Sequence, residues 1–429
     1  MVRYRQAAKV VTISFIALQA IAVTFASLMF FPLVAQWHTL DLSLYYNDSR
    51  NLLQGLIPYR DFAIEYPPLA LLPFTLPHLA ALQQPLRFSD YIQAFLIENV
   101  LFSTLIALAL AWMTEQRAIL RPPGLTLALY ALFVALSAPL LPWRYDLFPA
   151  LLTMLAFVSV LRGRPAWAGF WSGLGIAAKL YPLVLLPIFG LYYLAGRQYR
   201  GLLRMTLGST LAVLLTLLPF LFAFTAPAQL FSFLSYHSLR GLQIESLPAG
   251  AIVLAHTLGL TPAKLEFNYG ALHLVSPWAN AALAWLPWMF VVVLSVVAVS
   301  AWGRFREECA ADSGRASAET LAAYIFAALL AFIVTNKVFS PQYIIWLLPF
   351  APLLRPPQAL VFLAIVVMTI VLFPFTYDRL LAMQGLPVLV LNLRNLLVIV
   401  LLGWLVIERA PASARSILPW RLVARQPAR

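Results

Sequence analysis

Apolar runs long enough to cross a bilayer recur from one end of this 429-residue chain to the other, and no other feature restricts its fold as strongly. A helix needs about 20 apolar residues to span the hydrocarbon core. Runs near that length fall at 10–34, 88–113, 124–141, 146–162, 165–178, 180–196, 202–224, 277–301, 318–335, 341–354, 357–375 and 388–407. With 62% hydrophobic and 10% charged residues, such a chain cannot present a water-soluble surface. The expectation is an all-α polytopic membrane protein of about twelve transmembrane helices, forming a single integral domain over 1–429. The N-terminal run is too long for a cleaved signal and reads as a retained first helix. A single cysteine, Cys309, excludes an internal disulfide framework.

The net charge of +13 is explained by topology. With the N-terminus cytoplasmic, the inner segments carry nineteen of the 29 basic residues and six of the sixteen acids, a difference equal to the whole net charge. Ten of each sign remain outside. This is the positive-inside pattern, and it removes the need for a nucleic-acid partner. Both termini are then cytoplasmic, and two long outer loops follow, 35–87 and 225–276. The apolar run Leu69–Leu82 is broken by Pro73 and Pro77, and is expected to lie at the interface rather than to cross. Segments 165–178 and 180–196 are short for full crossings, which leaves Lys179 at an outer turn or just inside the membrane.

Every unusual polar cluster then falls on the outer side. Asp41–Pro68 holds Asp41, Asp48, Asp61 and Glu65 with Arg50, Arg60 and four tyrosines. The others are Trp143–Asp146, Lys179–Pro182, Tyr236–Ser246, Asn336–Lys337 with Ser340–Tyr343, and Tyr377–Arg379. Convergence on one face suggests one site. A transporter or flippase of lipid-linked sugars would place polar residues at mid-span. Here Glu98 with Asn99 is the main such exception.

The ordered stretches YYNDSRNLLQGLIPYRDFAIEYPP, RYD, AGFWSGLGIAAKLYP, YHSLRGLQIES and NKVFSPQYIIWLLP resemble glycosyltransferase family 87, over about residues 35–350. These are C-type membrane glycosyltransferases, similar to polyprenol-phosphate-mannose-dependent mannosyltransferases. The resemblance implies an essential carboxylate just after the first span, where Asp41 stands, and interfacial helices in a catalytic first outer loop. It also implies a hexose, most readily mannose, moved from a polyprenyl phosphate to the hydroxyl of a glycolipid, polysaccharide or protein on the outer face of the cell membrane. Such chemistry needs a base for the acceptor hydroxyl and cations for the departing phosphate. Asp41 is the expected base, with inversion. Arg144, Lys179, His237, Arg240 and Lys337 are the expected phosphate ligands. Tyr59, Glu65, Gln243, Glu245 and Gln342 are the expected substrate contacts. The sugar is already activated, so no cofactor is expected, and the histidines show no metal-ligand spacing.

Simpler roles compete for each residue. Asp41 suits a helix N-cap or an ion pair, and Asp48 a pair with Arg50. Glu65 suits Arg60 as well as a sugar hydroxyl, and Arg144 can pair with Asp146. Lys179 can snorkel to the interface. His237 and Arg240 suit a solvated loop, and Lys337 and Gln342 suit helix-end anchoring. Tyr45, Tyr59 and Trp143 suit either sugar stacking or interfacial anchoring.

Overall fold

The structure is a computed structural model that describes residues 2–80, 86–116, 122–222, 227–311 and 314–409. It opens with α1 (Val2–Leu53), followed by α2 (Leu71–Leu79), α3 (Phe88–Glu115) and α4 (Pro123–Leu136). Next come α5 (Leu147–Leu161), α6 (Pro165–Ala178), α7 (Leu186–Ala195) and α8 (Tyr199–Leu221). Between α9 (Ser232–Leu239) and α10 (Leu247–Thr257) lies strand β1 (Leu242–Gln243); β2 (Lys264–Asn268) and β3 (Ala271–Val275) follow. The chain closes through α11 (Pro277–Ala311), α12 (Ala318–Thr335), α13 (Tyr343–Leu347), α14 (Pro356–Ile370), α15 (Tyr377–Leu381) and α16 (Gly385–Arg409).

Seven helices among the described residues are long and apolar enough to cross a membrane: α1, α3, α8, α11, α12, α14 with its continuation to Phe375, and α16. The protein is therefore multi-pass. The other five expected crossings are short or broken. Helices α4, α5 and α6 have 14, 15 and 14 residues, α7 follows a 3-10 turn at Tyr181–Leu185, and 341–354 is split between α13 and another 3-10 turn. At 1.5 Å per residue, 14 residues reach about 21 Å, less than the roughly 30 Å core. Apolar run length alone does not register where Pro182 and Pro352 fall inside a run. Arg117, Arg121, Asp312, Arg415, Arg421, Arg425 and Arg429, on which the inner charge excess partly rests, lie outside the described residues.

The expected first outer loop is in large part helix. Helix α1 runs 52 residues, about 78 Å, and carries Asp41 in its C-terminal third. Two faces of that third are distinct. His38, Leu42, Tyr45 and Ser49 are fully buried, on a stripe that packs towards α2 and α3. Trp37, Leu40, Asp41 and Leu44, at i, i+3, i+4 and i+7, share a stripe that lines a cavity. Pro68–Ala70 and α2 form the helix expected within 69–82, of which 81 and 82 lie outside the described residues.

The second loop is not all helical, contrary to the all-α expectation. Its strands form an antiparallel sheet in the order β1-β3-β2, with Gln243 opposite His273 and Asn268 opposite Ala271. The two-residue turn Tyr269–Gly270 has φ of 44° and 67° at its two positions, the left-handed geometry that tight hairpins use. Lys264 and Glu266, exposed on β2, form an ion pair.

Helix α12 is buried along nearly its whole length and forms the centre of the bundle. On the other side, α6 lies against α8 almost backbone to backbone. A Cβ at Gly169, Gly173 or Gly208 would collide with the main-chain oxygen of Met205, Ser209 or Ala166, respectively. Small residues at four-residue spacing permit this approach between membrane helices. Gly173→Val is expected to destabilise the protein by about 1–3 kcal/mol through overpacking, seen as a lower melting temperature in detergent. Gly403→Ala, at a position open to space, should leave the melting temperature unchanged or slightly raised.

Candidate active site

A cavity of about 520 Å³ lies where the C-terminal third of α1 meets the segments around Glu65, Arg144, Lys179, Arg240 and Gln342 and the β2–β3 hairpin. Of the eleven residues singled out from sequence, nine line it: Asp41, Glu65, Arg144, Lys179, His237, Arg240, Gln243, Glu245 and Gln342. Segments up to 300 residues apart in the chain thus meet in one chamber.

Its cations are paired. Arg144 Nη2 lies 2.8 Å from Asp41 Oδ2, with Arg144 only 4% exposed and Asp41 32% exposed to the cavity. Arg144 also donates from Nε to Gln342 Oε1 (3.2 Å), from Nη1 to the Trp143 carbonyl (3.3 Å) and from Nη2 to the Trp37 carbonyl (3.4 Å). Four of the five guanidinium N–H groups are thereby engaged, which leaves little rotational freedom. Lys179 Nζ donates to Asp146 Oδ1 at 2.6 Å. That oxygen also accepts from Trp346 Nε1 at 2.6 Å. The ammonium is surrounded by the rings of Tyr145 (4.5 Å), Trp346 (5.5 Å) and Tyr66 (5.8 Å), a cage favourable to a desolvated cation. Arg240 Nη2 donates to Glu65 Oε2 at 3.1 Å, and its Nε donates to the Tyr269 carbonyl at 3.0 Å, which ties the hairpin tip to the segment between α1 and α2.

These partners differ from the simpler pairings open in the sequence. Arg144 pairs with Asp41 and not with Asp146. Glu65 pairs with Arg240, while Arg60 binds its neighbour Asp61. Asp48 is buried, and its Oδ2 has no hydrogen-bond partner; Arg50 is exposed and lies over the Tyr46 ring. Asp41, well inside α1, cannot serve as an N-cap.

Two of the eleven lie elsewhere. The Tyr59 hydroxyl donates to the Tyr66 carbonyl at 2.6 Å, and its backbone sits at φ 65°, so it shapes the turn before α2. Lys337 Nζ donates to the carbonyls of Ser238 (2.7 Å) and Arg240 (2.6 Å) and fastens the end of α9. Tyr45 and Trp143 belong to the core: Tyr45 stacks on Phe74 at 4.3 Å and Trp143 packs on Phe31 at 4.4 Å. His38, His78, His256 and His273 each engage a carbonyl or a serine hydroxyl. Among the described residues, no group of three or more His, Cys, Asp or Glu is placed to hold a metal ion.

Burial sets the charge states of the chamber's titratable groups. It pushes the His237 imidazole down to about 4, with Arg240 and Lys179 adding to the effect. At neutral pH His237 is uncharged and offers hydrogen bonds rather than a cation. Burial raises the Glu65 carboxyl, opposed by Arg240, and takes Glu245 up to about 8. Gln243 Nε2 donates to Glu245 Oε2 at 2.9 Å, while Gln243 Oε1 is buried without a partner. Sequence reasoning left out Trp37 and Phe373, and it placed Tyr66, Tyr343 and Tyr377 in the polar clusters without a role of their own; all five are aromatic residues that complete the walls. In so aromatic a chain, no local pattern separates them from membrane-facing rings. Asp146 was read as a partner for Arg144, whereas it is the buried anchor of Lys179.

The model of glycosyltransferase family 87 matches residues 64–335. The chain belongs to glycosyltransferase family 87. It is thus a multi-pass membrane glycosyltransferase, as the ordered motifs of the sequence implied. Asp41 precedes the matched residues and Gln342 follows them, so their places in the site rest on the geometry above. No curated protein matches the chain. Among solved structures it is similar to ArnT from Cupriavidus metallidurans, solved bound to undecaprenyl phosphate, at 14% identity over 82% of this chain and 69% of that one, with a TM-score of 0.40.

Asp146→Asn leaves the Lys179 ammonium without its counter-charge in a site where Asp146 is 0% and Lys179 13% exposed. Breaking a buried pair in this way is expected to cost about 3–5 kcal/mol. Trp346→Phe, which removes one hydrogen bond to the same oxygen and leaves its Lys179 contact in place, should cost about 0.5–1.5 kcal/mol from that bond. Thermal melts of the purified variants check the order.

Proposed function

We propose that this glycosyltransferase moves a hexose, with mannose the first choice, from a polyprenyl-phosphate donor to a hydroxyl of a lipid, glycan or protein acceptor. The observation that carries the reading is the chamber itself, in which a partly exposed carboxylate, Asp41, stands beside three cations in an enclosed, aromatic-walled site. Asp41 takes the proton of the acceptor hydroxyl as its oxygen attacks the anomeric carbon. The bond from that carbon to the phosphate oxygen breaks, and the leaving polyprenyl phosphate takes the electron pair. A single displacement inverts the anomeric centre. Arg144, by orienting Asp41, and Lys179 and Arg240, by facing the chamber with positive charge, are suited to stabilise the charge that develops on the phosphate. Their carboxylate partners keep them ordered in the absence of substrate. His237, neutral, donates or accepts a hydrogen bond to donor or acceptor.

Glu65, Gln243, Glu245 and Gln342 offer carboxyl and amide oxygens for sugar hydroxyls. Trp37, Leu40 and Leu44 give the α1 wall an apolar side suited to a polyprenyl chain. The charge asymmetry of the sequence supports placing this chamber on the outer face of the cell membrane, with cytoplasmic termini.

Membranes containing the protein, given radiolabelled polyprenyl-phosphate mannose and a cellular lipid extract, should form a labelled product. Asp41→Asn is expected to lower the rate by about 10²–10⁴-fold and Lys179→Ala to impair it strongly, whereas Arg60→Ala, at an exposed pair outside the chamber, should leave it intact. Undiminished transfer by Asp41→Asn contradicts the base assignment. Movement of intact donor across the bilayer without sugar transfer contradicts the enzyme reading of this donor.

A further inference from the structure

Helix α16 lies beyond the residues matched by the family, and within this apolar helix sits a fully buried arginine, Arg394, 1% exposed. A charge inside a membrane-spanning segment is costly, and such residues face protein and mark function. Arg394 Nη2 donates to the main-chain oxygen of Glu245 at 2.8 Å, and its guanidinium lies 3.9 Å from the Phe339 ring centre. Two neighbours on the same helix grip the same turn: Asn395 Nδ2 donates to the Ser246 carbonyl (3.4 Å) and Asn392 Nδ2 to the Gly250 carbonyl (2.9 Å). These neutral amides would suffice to cap carbonyls. The positive charge of Arg394 is what needs a reason, and the ionisable group it interacts with electrostatically is the Glu245 carboxyl in the chamber wall.

We propose that Arg394 is a positioning residue for glycosyl transfer, holding the Glu245–Ser246 turn in register and facing the Glu245 carboxyl with a charge that favours an ionised, hydroxyl-accepting carboxylate. The proposal rests on the reading of Glu245 as a sugar contact. Beside Glu245, the charged and titratable groups are Arg394 from α16, Arg144 from the segment before α5, and Tyr377 from α15. Both arginines favour the carboxylate; burial opposes it. Gln243, bonded to Glu245 Oε2, keeps its own buried Oε1 free to accept a second hydroxyl. Arg394 therefore acts on the sugar through Glu245, from a helix that does not itself line the chamber.

Two readouts test this on the full-length protein. The first needs no substrate. A carboxyl held at about 8 in the folded protein, against 4.5 when free, contributes stability fully present below about pH 4.5 and lost as pH rises through about 8. The melting temperature should fall across that window, and Glu245→Gln should remove this component. Arg394→Gln should move the midpoint upward by about 1 pH unit or more, while Arg394→Lys, which keeps the charge, should restore it. Arg394→Gln in the Glu245→Gln background should cause no further shift.

The second readout is the pH profile of kcat/KM for transfer, whose acid limb should move upward in Arg394→Gln and return in Arg394→Lys. An unmoved midpoint and limb in Arg394→Gln, or equal defects in the Lys and Gln variants at every pH, overturns the proposal. A wild-type protein that transfers no sugar but shows the Glu245 titration and its Arg394 dependence would count against the proposed donor and leave the coupling of Arg394 to Glu245 standing.

Discussion

The pairing of every cation in the chamber with a carboxylate from a distant segment is the constraint on which the rest of this structure depends. Asp41–Arg144, Asp146–Lys179 and Glu65–Arg240 each join parts of the chain that sequence order keeps apart. Burying an unpaired charge costs several kcal/mol. The folded arrangement therefore has to bring α1, the segments flanking α5 and α6, and the loop after α9 into one place. The same pairs hold the cations rigid and poised, which is what an electrostatic catalyst requires before its substrate arrives.

Around these pairs the helices serve as mounts. The C-terminal third of α1 presents one stripe to the core and the next to the chamber, so that Asp41 is fixed by the packing of His38, Leu42 and Tyr45 behind it. Close contact of α6 with α8 sets the height at which Lys179 emerges from the end of α6. Helix α16 grips the Glu245–Gly250 turn from the opposite side. Phe339 packs against Arg394, which places the Ser340–Gln342 segment where Gln342 can meet Arg144 Nε. A site assembled from so many mounts is sensitive to packing changes far from any reacting atom.

Much of this was legible in the sequence, for identifiable reasons. Membrane character follows from apolar run length, and the polar clusters that stand out in so apolar a chain supply nine residues that line one chamber. Partners were not legible. Arg144 and Asp146 are two residues apart and invite a local pair, yet the geometry sends one to Asp41 and the other to Lys179. Lys337 and Tyr59 carry the right chemistry but spend it on carbonyls. The extension of α1 through Asp41 to Leu53 was hidden because its polar residues look like loop; buried on one side, they are the inner face of a helix. The three-stranded sheet was missed because its strands are short, and short apolar stretches in a membrane chain read as helix. The sequence does not single out Arg394, since nothing local tells a buried arginine from a solvated one.

The central claim is that the chamber holds the phosphate of a polyprenyl-linked donor among the three paired cations. Cryo-electron microscopy of the protein bound to a non-hydrolysable polyprenyl-phosphate sugar analogue tests it most directly. Phosphate density is expected within hydrogen-bonding distance of Lys179 or Arg240, with the sugar between Asp41 and Glu245. Phosphate density outside the chamber, or a lipid bound with its head group away from Asp41, would contradict it.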